Sequence, residues 1–443
     1  FWYPTWLAQP AALIEGSRLV DAPPHDLTKE DVLRIAKDYE LVILHTSAPT
    51  LRGDAELAEA LKSQNPDLQI GFVGAQAAVL PEETIQASEA IDWVGRKEFD
   101  FTCLDAALGL PLEEISGLSF RREGKIIHNP ERQLIQSFEE LPSVMDVYAR
   151  DLEIERYYIG YLKHPYVSHY TGRGCPAQCT FCLWPQTVGG HKYRARSPEG
   201  VAREMAHARQ LFPQVKEFFF DDDTFTAYAP RAREIAKELG KLGVTWSCNA
   251  RANVSYETLK VMRDNGLRLL LVGYESGNQR ILDNIKKGIR LEEAREFTRN
   301  CQKLGITIHG TFILGLPGET RETISETIEF AKEMDPFSLQ VSLAAPYPGT
   351  ELYRQAKENG WFREGSGLVD THGQQLAALE YDDLSREEIF RSVERFYREY
   401  FFRPRPIARI VGTMLTDWQE MKRRLREGAE FFQFLRLRNA EGT

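Results

Sequence analysis

Three of the six cysteines in this chain lie within eight residues of one another. Cys175, Cys179 and Cys182 have the spacing C-x3-C-x2-C, whereas the other three cysteines are scattered. Three thiolates from one loop can bind three irons of a cubane and leave the fourth iron without a protein ligand. An open iron is suited to chemistry, since electron-transfer clusters usually have four protein ligands. The spacing therefore predicts a reactive [4Fe–4S] cluster with these three cysteines as metal ligands.

Neighbouring residues fit this hypothesis but leave one alternative open. Gly172 and Gly174 would let the loop backbone approach a cluster closely, and Phe181 would shield the cluster from water. His191 lies nine residues beyond Cys182, and zinc accepts histidine as a fourth ligand. A zinc site is therefore the alternative interpretation of the cysteines.

Further polar residues follow apolar runs that predict strands. Asp222 and Asp223 come just after Phe218–Phe220, where unpartnered carboxylates would be costly to bury. Carboxylates in such a place can accept hydrogen bonds from an ammonium group, and a solvated acidic turn is the alternative. The other candidates at or near predicted strand ends are Arg251, Glu275, Ser276, His309 and Gly315.

The N-terminal part of the chain must be built around a sheet of its own. Residues 1–140 are expected to form a Rossmann-like, doubly wound α/β domain. Short apolar runs at 40–45, 68–73 and 91–95 predict buried parallel strands, and the alternation around Glu123-Gly124 predicts a hairpin.

A second α/β unit would position the cysteines and the polar candidates. Residues 166–374 are predicted to form a partial (β/α)6 barrel of TIM type, in which catalytic groups cluster at the C-terminal ends of the strands. Residues 141–165 would connect the two units, and residues 375–443 would form a helical tail. The six predicted strands are 167–170, 215–220, 245–249, 269–273, 307–314 and 338–343.

Composition narrows the function classes. The formal net charge of −10 argues against nucleic acid as a partner. No uninterrupted apolar run reaches the roughly 18 residues that a membrane-spanning helix needs. Scattered cysteines beside one local cluster indicate a reducing, cytoplasmic location rather than a disulfide framework. The chain opens at Phe1 in mid-pattern, so we expect its N-terminus to be incomplete.

The order of the motifs carries a family resemblance. After the cysteines come the acidic segment at 220–225, Val272–Gly277, Ile285–Gly288, His309–Thr320 and Ala345–Thr350, the last of which ends P-x-P-G-T. Together they resemble the radical S-adenosylmethionine (SAM) superfamily, in the branch with an N-terminal cobalamin-binding-like domain. The resemblance covers roughly residues 40–370. It implies an enzyme in which a [4Fe–4S] cluster cleaves SAM into methionine and a 5′-deoxyadenosyl radical.

The same resemblance implies roles for the candidate residues. Asp222 and Asp223 would receive the methionine amino group of SAM, and Arg251 would bind its carboxylate. Glu275 or Ser276 would contact the ribose or the methionine moiety. The segment around Gly315 would pack on the adenine ring. His309 and His191 are candidates for substrate contact or proton transfer, although a core position is an equal alternative for His309.

Several segments outside these motifs resemble one subfamily, which acts in hopanoid lipid biosynthesis. They are 1–10, 182–191, 218–225 and 245–249. The resemblance implies contraction of the amino-sugar ring of a glucosaminyl bacteriohopanetetrol to a cyclitol ether, with a one-electron reductant protein as partner. Residues 401–443 carry net charge +4 beside aromatic residues. One interpretation is peripheral contact with the inner face of the membrane, and the alternative is that the aromatic residues pack on their own domain.

Three other functions compete with this hypothesis. A cobalamin-dependent radical SAM methyltransferase is the first, and cobalamin is an open cofactor question. The chain has no D-x-H-x-x-G string to supply a cobalt ligand, and His45 follows a predicted strand without matching it. An RNA methylthiotransferase would need more N-terminal cysteines than Cys103, and a zinc or electron-transfer module is the non-enzyme alternative.

Overall fold

Two sheets organise the chain, and the computed structural model describes them within residues 1–362, 367–370 and 374–416. Sixteen α-helices lie in these ranges. They are α1 Thr5–Leu13, α2 Lys29–Ala36, α3 Leu51–Gln64, α4 Ala75–Val79, α5 Pro81–Gln86, α6 Asp100–Ala107, α7 Met145–Asp151, α8 Pro198–Leu211, α9 Ala229–Leu242, α10 Tyr256–Asp264, α11 Gln279–Asn284, α12 Leu291–Leu304, α13 Arg321–Met334, α14 Glu351–Glu358, α15 Arg386–Phe401 and α16 Pro404–Thr416.

The N-terminal sheet has five strands in sequential order. The first three are parallel, and the last two form the predicted antiparallel hairpin. Apolar side chains cover both faces, with Phe72 and Val94 on one side and Trp93 and Phe99 on the other. The α/β prediction is confirmed, and the strand order does not reverse within this sheet. The strands are β1 Leu41–His45, β2 Gln69–Val73, β3 Trp93–Gly95, β4 Leu118–Arg122 and β5 Lys125–His128.

The second sheet is the predicted partial barrel. Its six parallel strands follow the order β6-β9-β10-β11-β12-β13, and the short ribbon β7-β8 lies apart from them. Buried apolar runs make such strands readable from sequence, and the bounds of β12 and β13 agree with the prediction. The strands are β6 Tyr166–His169, β7 Gly172–Arg173, β8 Arg194–Ala195, β9 Glu217–Phe220, β10 Trp246–Arg251, β11 Leu267–Glu275, β12 Thr307–Leu314 and β13 Ser338–Leu343.

The barrel helices begin and end at the residues that physical chemistry favours. Thr320 accepts a hydrogen bond from the Thr323 backbone at the start of α13, as expected of an N-cap. Helices α9 and α12 end at Gly243 and Gly305, both in the left-handed conformation that glycine adopts without strain.

Packing crosses the predicted domain boundaries. Tyr3 stacks on Tyr157 at 4.2 Å and meets Tyr166 edge-on, so the first residues join the connector and the barrel core. Helix α15 packs on β13 and α13, with Phe396 and Tyr400 buried in the same core. The first part of the predicted helical tail is therefore an outer helix of the barrel.

The predicted membrane contact falls largely on residues 417–443, which lie outside the described residues. Among the helices that the structure does describe, none combines the length and the apolar character needed to span a bilayer.

Candidate active site

The three clustered cysteines lie in the loop that follows β6. Cys175 and Cys179 are buried, and Cys182 is partly exposed. Burial raises the pKa of the Cys182 thiol, and the charges of Asp223, Cys179 and Cys175 add to the shift. The Gln186 amide donates to the carbonyl oxygens of Cys179, at 3.1 Å, and Cys182, at 2.7 Å. The structure thus brings the predicted ligands together on a fixed loop.

Gly174 marks the tightest point of this loop. Its φ of +89° lies in the region that glycine tolerates, and its N–H donates to Asp223 Oδ2 at 2.9 Å. A Cβ at this position would overlap the Lys192 carbonyl oxygen and come within 2.9 Å of the Gly190 carbonyl oxygen. Contacts within the loop therefore require glycine here, and the predicted close approach of the backbone to a cluster stays a prediction.

The donor set fits an iron–sulfur cluster better than a single ion. Two buried thiols and one partly exposed thiol, without a fourth ligand from the same loop, match a cubane in which each sulfur binds a different iron. A zinc ion would need its ligands to converge on one point. Across the described part of the chain, no group of three His, Cys, Asp or Glu side chains converges in that way. Cys175, Cys179 and Cys182 would hold the cluster, and His191 is not a fourth ligand.

Asp222 serves the architecture of the loop. It is fully buried, and its oxygens accept hydrogen bonds from the Thr171 N–H and hydroxyl, both at 2.6 Å, and from the Tyr193 hydroxyl at 2.7 Å. Arg231 closes this network by donating to Tyr193 at 2.8 Å and to the Thr171 carbonyl oxygen at 3.2 Å. The predicted contact between Asp222 and SAM is therefore replaced by a contact that holds the cysteine loop on β6.

Asp223 is the acidic residue that faces the cysteines. Oδ2 accepts from Gly174, and Oδ1 has no donor among the residues described. Burial raises the pKa of Asp223 to about 6, and the Gly174 hydrogen bond opposes that shift. One oxygen is thus open to a cationic ligand beside the cluster loop, and its contact with the amino group of SAM stays a prediction.

Arg251 approaches the same loop from the third barrel strand. Its Nη1 lies 3.9 Å from Cys179 Sγ, and its Nη2 donates to the Lys287 carbonyl oxygen. The Lys287 ammonium is 2.6 Å from Glu275 Oε1, in a pair that is more than nine-tenths buried. Glu275 has φ +65°, which is uncommon for a residue with a side chain. These successive contacts hold the Arg251 guanidinium at the edge of the cysteine loop.

The remaining candidates for cofactor binding, Ser276, Gly315 and Phe181, have three different surroundings. Ser276 is fully buried and its hydroxyl contacts Thr327 of α13 at 3.1 Å, so it joins the helix layer instead of the site. Gly315 has φ +85°, and its N–H donates to Glu319, whose pKa burial raises to about 8. Phe181 packs in the apolar cluster that includes Leu316, which places it between the cysteine loop and the Gly315 segment.

The two histidines predicted to be catalytic have other surroundings. His191 Nδ1 contacts the carbonyl oxygens of Cys175, at 3.2 Å, and Ala177, at 3.0 Å, so it braces the cysteine loop. His309 is the third residue of β12, stacks on Tyr161 at 3.9 Å and contacts the Ser338 hydroxyl at 2.8 Å. Burial lowers its pKa to about 4. It lies toward the N-terminal end of its strand, away from the cysteine loop.

Two important residues escaped the sequence analysis. Lys287 lies in the segment 285–288, which carried part of the resemblance but had no assigned role. Arg231 is on helix α9 and offered no sequence signal, because its partners are 35 to 60 residues away.

Comparison with known proteins decides the family. The sequence profile of the Radical SAM superfamily matches residues 170–331. An uncharacterized methyltransferase of Pyrococcus horikoshii is 30% identical over 426 residues, which cover 92% of this chain and 90% of that protein. The chain belongs to the radical SAM superfamily. As a radical SAM enzyme it uses a [4Fe–4S] cluster, which the cysteine spacing predicted, and SAM, which the family resemblance implied.

Two further comparisons give a solved structure of similar fold and a relative that acts on a lipid. The methyltransferase TsrM from Kitasatospora setae, solved with cobalamin and a [4Fe–4S] cluster, superimposes with a TM-score of 0.68 at 17% identity, over 92% of this chain and 84% of TsrM. The radical SAM enzyme is also 30% identical to the hopanoid C-3 methylase of Methylococcus capsulatus over 213 residues, which cover 46% of this chain and 39% of that protein.

A closely packed seam and one buried histidine bear on how this radical SAM enzyme could hold cobalamin. Helix α4, at the carboxyl edge of the N-terminal sheet, packs directly on the π-helical turn Pro185–Gly189 of the cysteine loop. Trp6 stacks on Trp184 at 4.8 Å in the same seam. His45 Nε2 is buried without a donor or acceptor among the described residues, but Trp184, Phe99 and Gly74 enclose the ring. Within the described residues, direct packing of α4 and of Trp6 thus closes this seam against the cysteine loop.

Proposed function

We propose that this radical SAM enzyme uses the 5′-deoxyadenosyl radical directly on its substrate, and that it contracts the amino-sugar ring of a glucosaminyl hopanoid. The closed seam between α4 and the cysteine loop carries the first part of this proposal. Direct packing in that seam favours a reaction that places no cobalt-bound methyl group beside the cluster. The substrate rests on the resemblance of four segments to a hopanoid subfamily and on similarity to a hopanoid methylase.

The site residues have distinct tasks in this proposal. When bound, the cluster supplies one electron that cleaves SAM into methionine and the 5′-deoxyadenosyl radical. The open oxygen of Asp223 receives the methionine ammonium, and Arg251 receives its carboxylate. The Lys287–Glu275 pair holds the backbone to which Arg251 is bound. Gly315 offers bare backbone to the adenine ring.

The chemistry balances with a second electron. The radical removes a hydrogen atom from a sugar carbon and becomes 5′-deoxyadenosine. The carbon radical rearranges, one ring bond breaks and another forms between two carbons. The rearranged radical then gains an electron and a proton, so the product is an isomer of the substrate and the reductant supplies two electrons per turnover. Close contact between the radical and one hydrogen decides the outcome, which requires a rigidly held substrate.

Anaerobic turnover tests the proposal. Reconstituted enzyme, SAM, a one-electron reductant and glucosaminyl bacteriohopanetetrol should give 5′-deoxyadenosine and an isomeric cyclitol ether by mass spectrometry. Replacing all three cluster cysteines by alanine is the control, and it should abolish both products. 5′-Deoxyadenosine with unaltered hopanoid would leave the radical chemistry in place and remove this substrate.

Cobalamin-dependent methyl transfer is the second candidate. The names of the relatives favour it, since both of the curated relatives described above are methyltransferases. A product heavier by one methylene, labelled from the methyl group of SAM and dependent on added cobalamin, would support this candidate against ring contraction.

A further inference from the structure

One carboxylate in the barrel lumen has no task in the site described above. Asp221 directly follows β9 and is partly exposed. Its Oδ1 accepts a hydrogen bond from Asn249 Nδ2 at 3.0 Å. Its Oδ2 has no donor within the described ranges of the chain. Asp221 is therefore an acidic group with half of its acceptor capacity open.

Strand geometry places Asp221 on the inner face of the barrel. Phe220 packs outward on Phe225 and Trp246, so the alternation of side chains turns Asp221 to the inner face of the barrel. Asp223 follows two residues later and accepts a hydrogen bond from Gly174 of the cysteine loop. Asp221 thus directly follows β9 on the inner face of the barrel, two residues before Asp223.

The surroundings of Asp221 are aromatic and lack a cation. Tyr161, Tyr166 and Tyr170 lie close enough for its charge to raise the pKa of each hydroxyl, although burial is the larger cause. Trp2 is 47% exposed and lies against Phe219, the inward residue one pleat lower. No Lys, Arg or His side chain donates to Asp221 in the described structure.

The neighbouring amide adds a second acceptor. Asn249 Nδ2 donates to both Asp221 and the Asp222 carbonyl oxygen, which determines the orientation of the amide. Asn249 Oδ1 is consequently an acceptor, and it is buried with no donor among the described residues. Unpartnered buried acceptors are costly, so a group with several N–H donors would lower the free energy of this pair.

We propose that Asp221, supported by Asn249, binds a primary ammonium group of the substrate in the barrel lumen. An ammonium has three donors and a positive charge, which match the two open acceptors, the carboxylate charge and the surrounding aromatic rings. The inference rests on the proposed function, because it places the substrate in this lumen. In this proposal, Asp221 is the residue that makes the enzyme bind an amine more tightly than a neutral analogue.

Binding of three matched probes to the reconstituted, SAM-loaded enzyme tests the inference. The probes are octyl glucosaminide, octyl N-acetylglucosaminide and octyl glucoside, of which only the first carries an ammonium. We expect wild type to bind the glucosaminide at least about tenfold more tightly than the other two. Asp221→Asn should weaken only the glucosaminide, on the order of 100-fold, because a buried charge pair loses one partner.

Three variants separate recognition from folding. Asp221→Glu should recover part of the preference because it keeps the charge. Asp67→Asn, at an exposed site in the N-terminal unit, should change nothing. Unchanged cluster absorbance and SAM affinity in Asp221→Asn would show that the site is intact. Equal binding of the three probes by wild type, or full glucosaminide affinity in Asp221→Asn, overturns the inference.

Product analysis keeps the two proposals apart. Asp221-dependent amine binding without a contracted ring refutes the proposed reaction and retains the ammonium site. Ring contraction by Asp221→Asn with an unchanged KM for the glucosaminyl hopanoid refutes the ammonium site and retains the reaction.

Discussion

Gly174 shows how a single backbone position supports the cysteine loop. It combines φ +89° with a carbonyl oxygen in the place where a side chain would begin. We expect Gly174→Ala to displace the loop, since strained backbone of this kind costs about 1–3 kcal/mol before any overlap is counted. Iron and sulfide per chain should fall to less than about half of the wild-type content after reconstitution. Gly53→Ala is the control, because open space surrounds that helical position. Full iron content in Gly174→Ala would contradict the close approach.

The pH dependence of amine binding is a second residue-scale prediction. Burial, together with Asp222 and Asp223, raises the pKa of Asp221 to about 7, and the Asn249 hydrogen bond opposes the shift. Below that pH the carboxyl group is protonated, so glucosaminide affinity should rise as the pH increases through about 7. Affinity should fall again where the amine itself loses its proton. The facing groups Tyr161, Tyr166 and Tyr170 stay protonated throughout, because their pKa values are raised.

The matched variant isolates the carboxylate in that profile. Asp221→Asn cannot ionise, so its weaker binding should show only the falling limb that belongs to the amine. Isothermal titration at several pH values measures both curves. A rising limb that persists in Asp221→Asn would assign the titration to another group.

At the scale of elements, the β7–β8 ribbon ties the cysteine loop to the N-terminal sheet. Arg173 pairs with Asp100 at 2.6 Å, and Arg194 pairs with Glu98 at 2.7 Å, and all four side chains are at least 97% buried. Glu98→Gln leaves the Arg194 charge buried and unpaired, so we expect a loss of about 3–5 kcal/mol in the free energy of unfolding. Denaturant titration of the holoenzyme measures this loss. The exposed pair Arg52–Glu56 offers the control Glu56→Gln, which should change little.

The elements themselves were largely predictable from the sequence. Buried parallel strands are apolar runs bounded by polar turns, and β12 and β13 were located to the residue for that reason. Parity along a strand was less predictable. An irregularity in the pairing of β11 with β12 lies between Gly273 and Glu275. At this irregularity Glu275 faces Lys287, whereas Ser276 contacts the helix layer. A prediction that assumes regular alternation of side chains along the strand therefore places one of these two residues on the wrong face.

The part of the site that could not be predicted from the sequence consists of polar contacts between residues far apart in the chain. The three cysteines were found because their spacing is local. The network of Arg231, Tyr193 and Asp222 joins one helix to two separate loops, and no local sequence pattern indicates such a contact. The same holds for Arg251 and Lys287, which are 36 residues apart.

The whole molecule depends on how its two sheets meet. Motifs identify the two units, but they do not give the width of the seam between them. In this chain Trp6 of α1 lies in the seam and stacks on Trp184 of the cysteine loop. The buried ion pairs of Arg173 and Arg194 cross the same seam. A sheet that resembles a cobalamin-binding domain can therefore act as a support that fixes the loop of a radical SAM barrel.

Cobalamin retention tests this role of the seam. Reconstituted enzyme incubated with hydroxocobalamin and then desalted should carry far less than one cobalamin per chain, because the Trp6–Trp184 stack and two buried ion pairs hold the seam closed. Each of those pairs costs about 3–5 kcal/mol when one charge loses its partner. TsrM from Kitasatospora setae, treated identically, is the positive control for retention, since it has been solved with cobalamin bound. One equivalent of cobalamin on this chain would show that the seam opens in solution, and methyl transfer would then replace ring contraction as the reaction to test first.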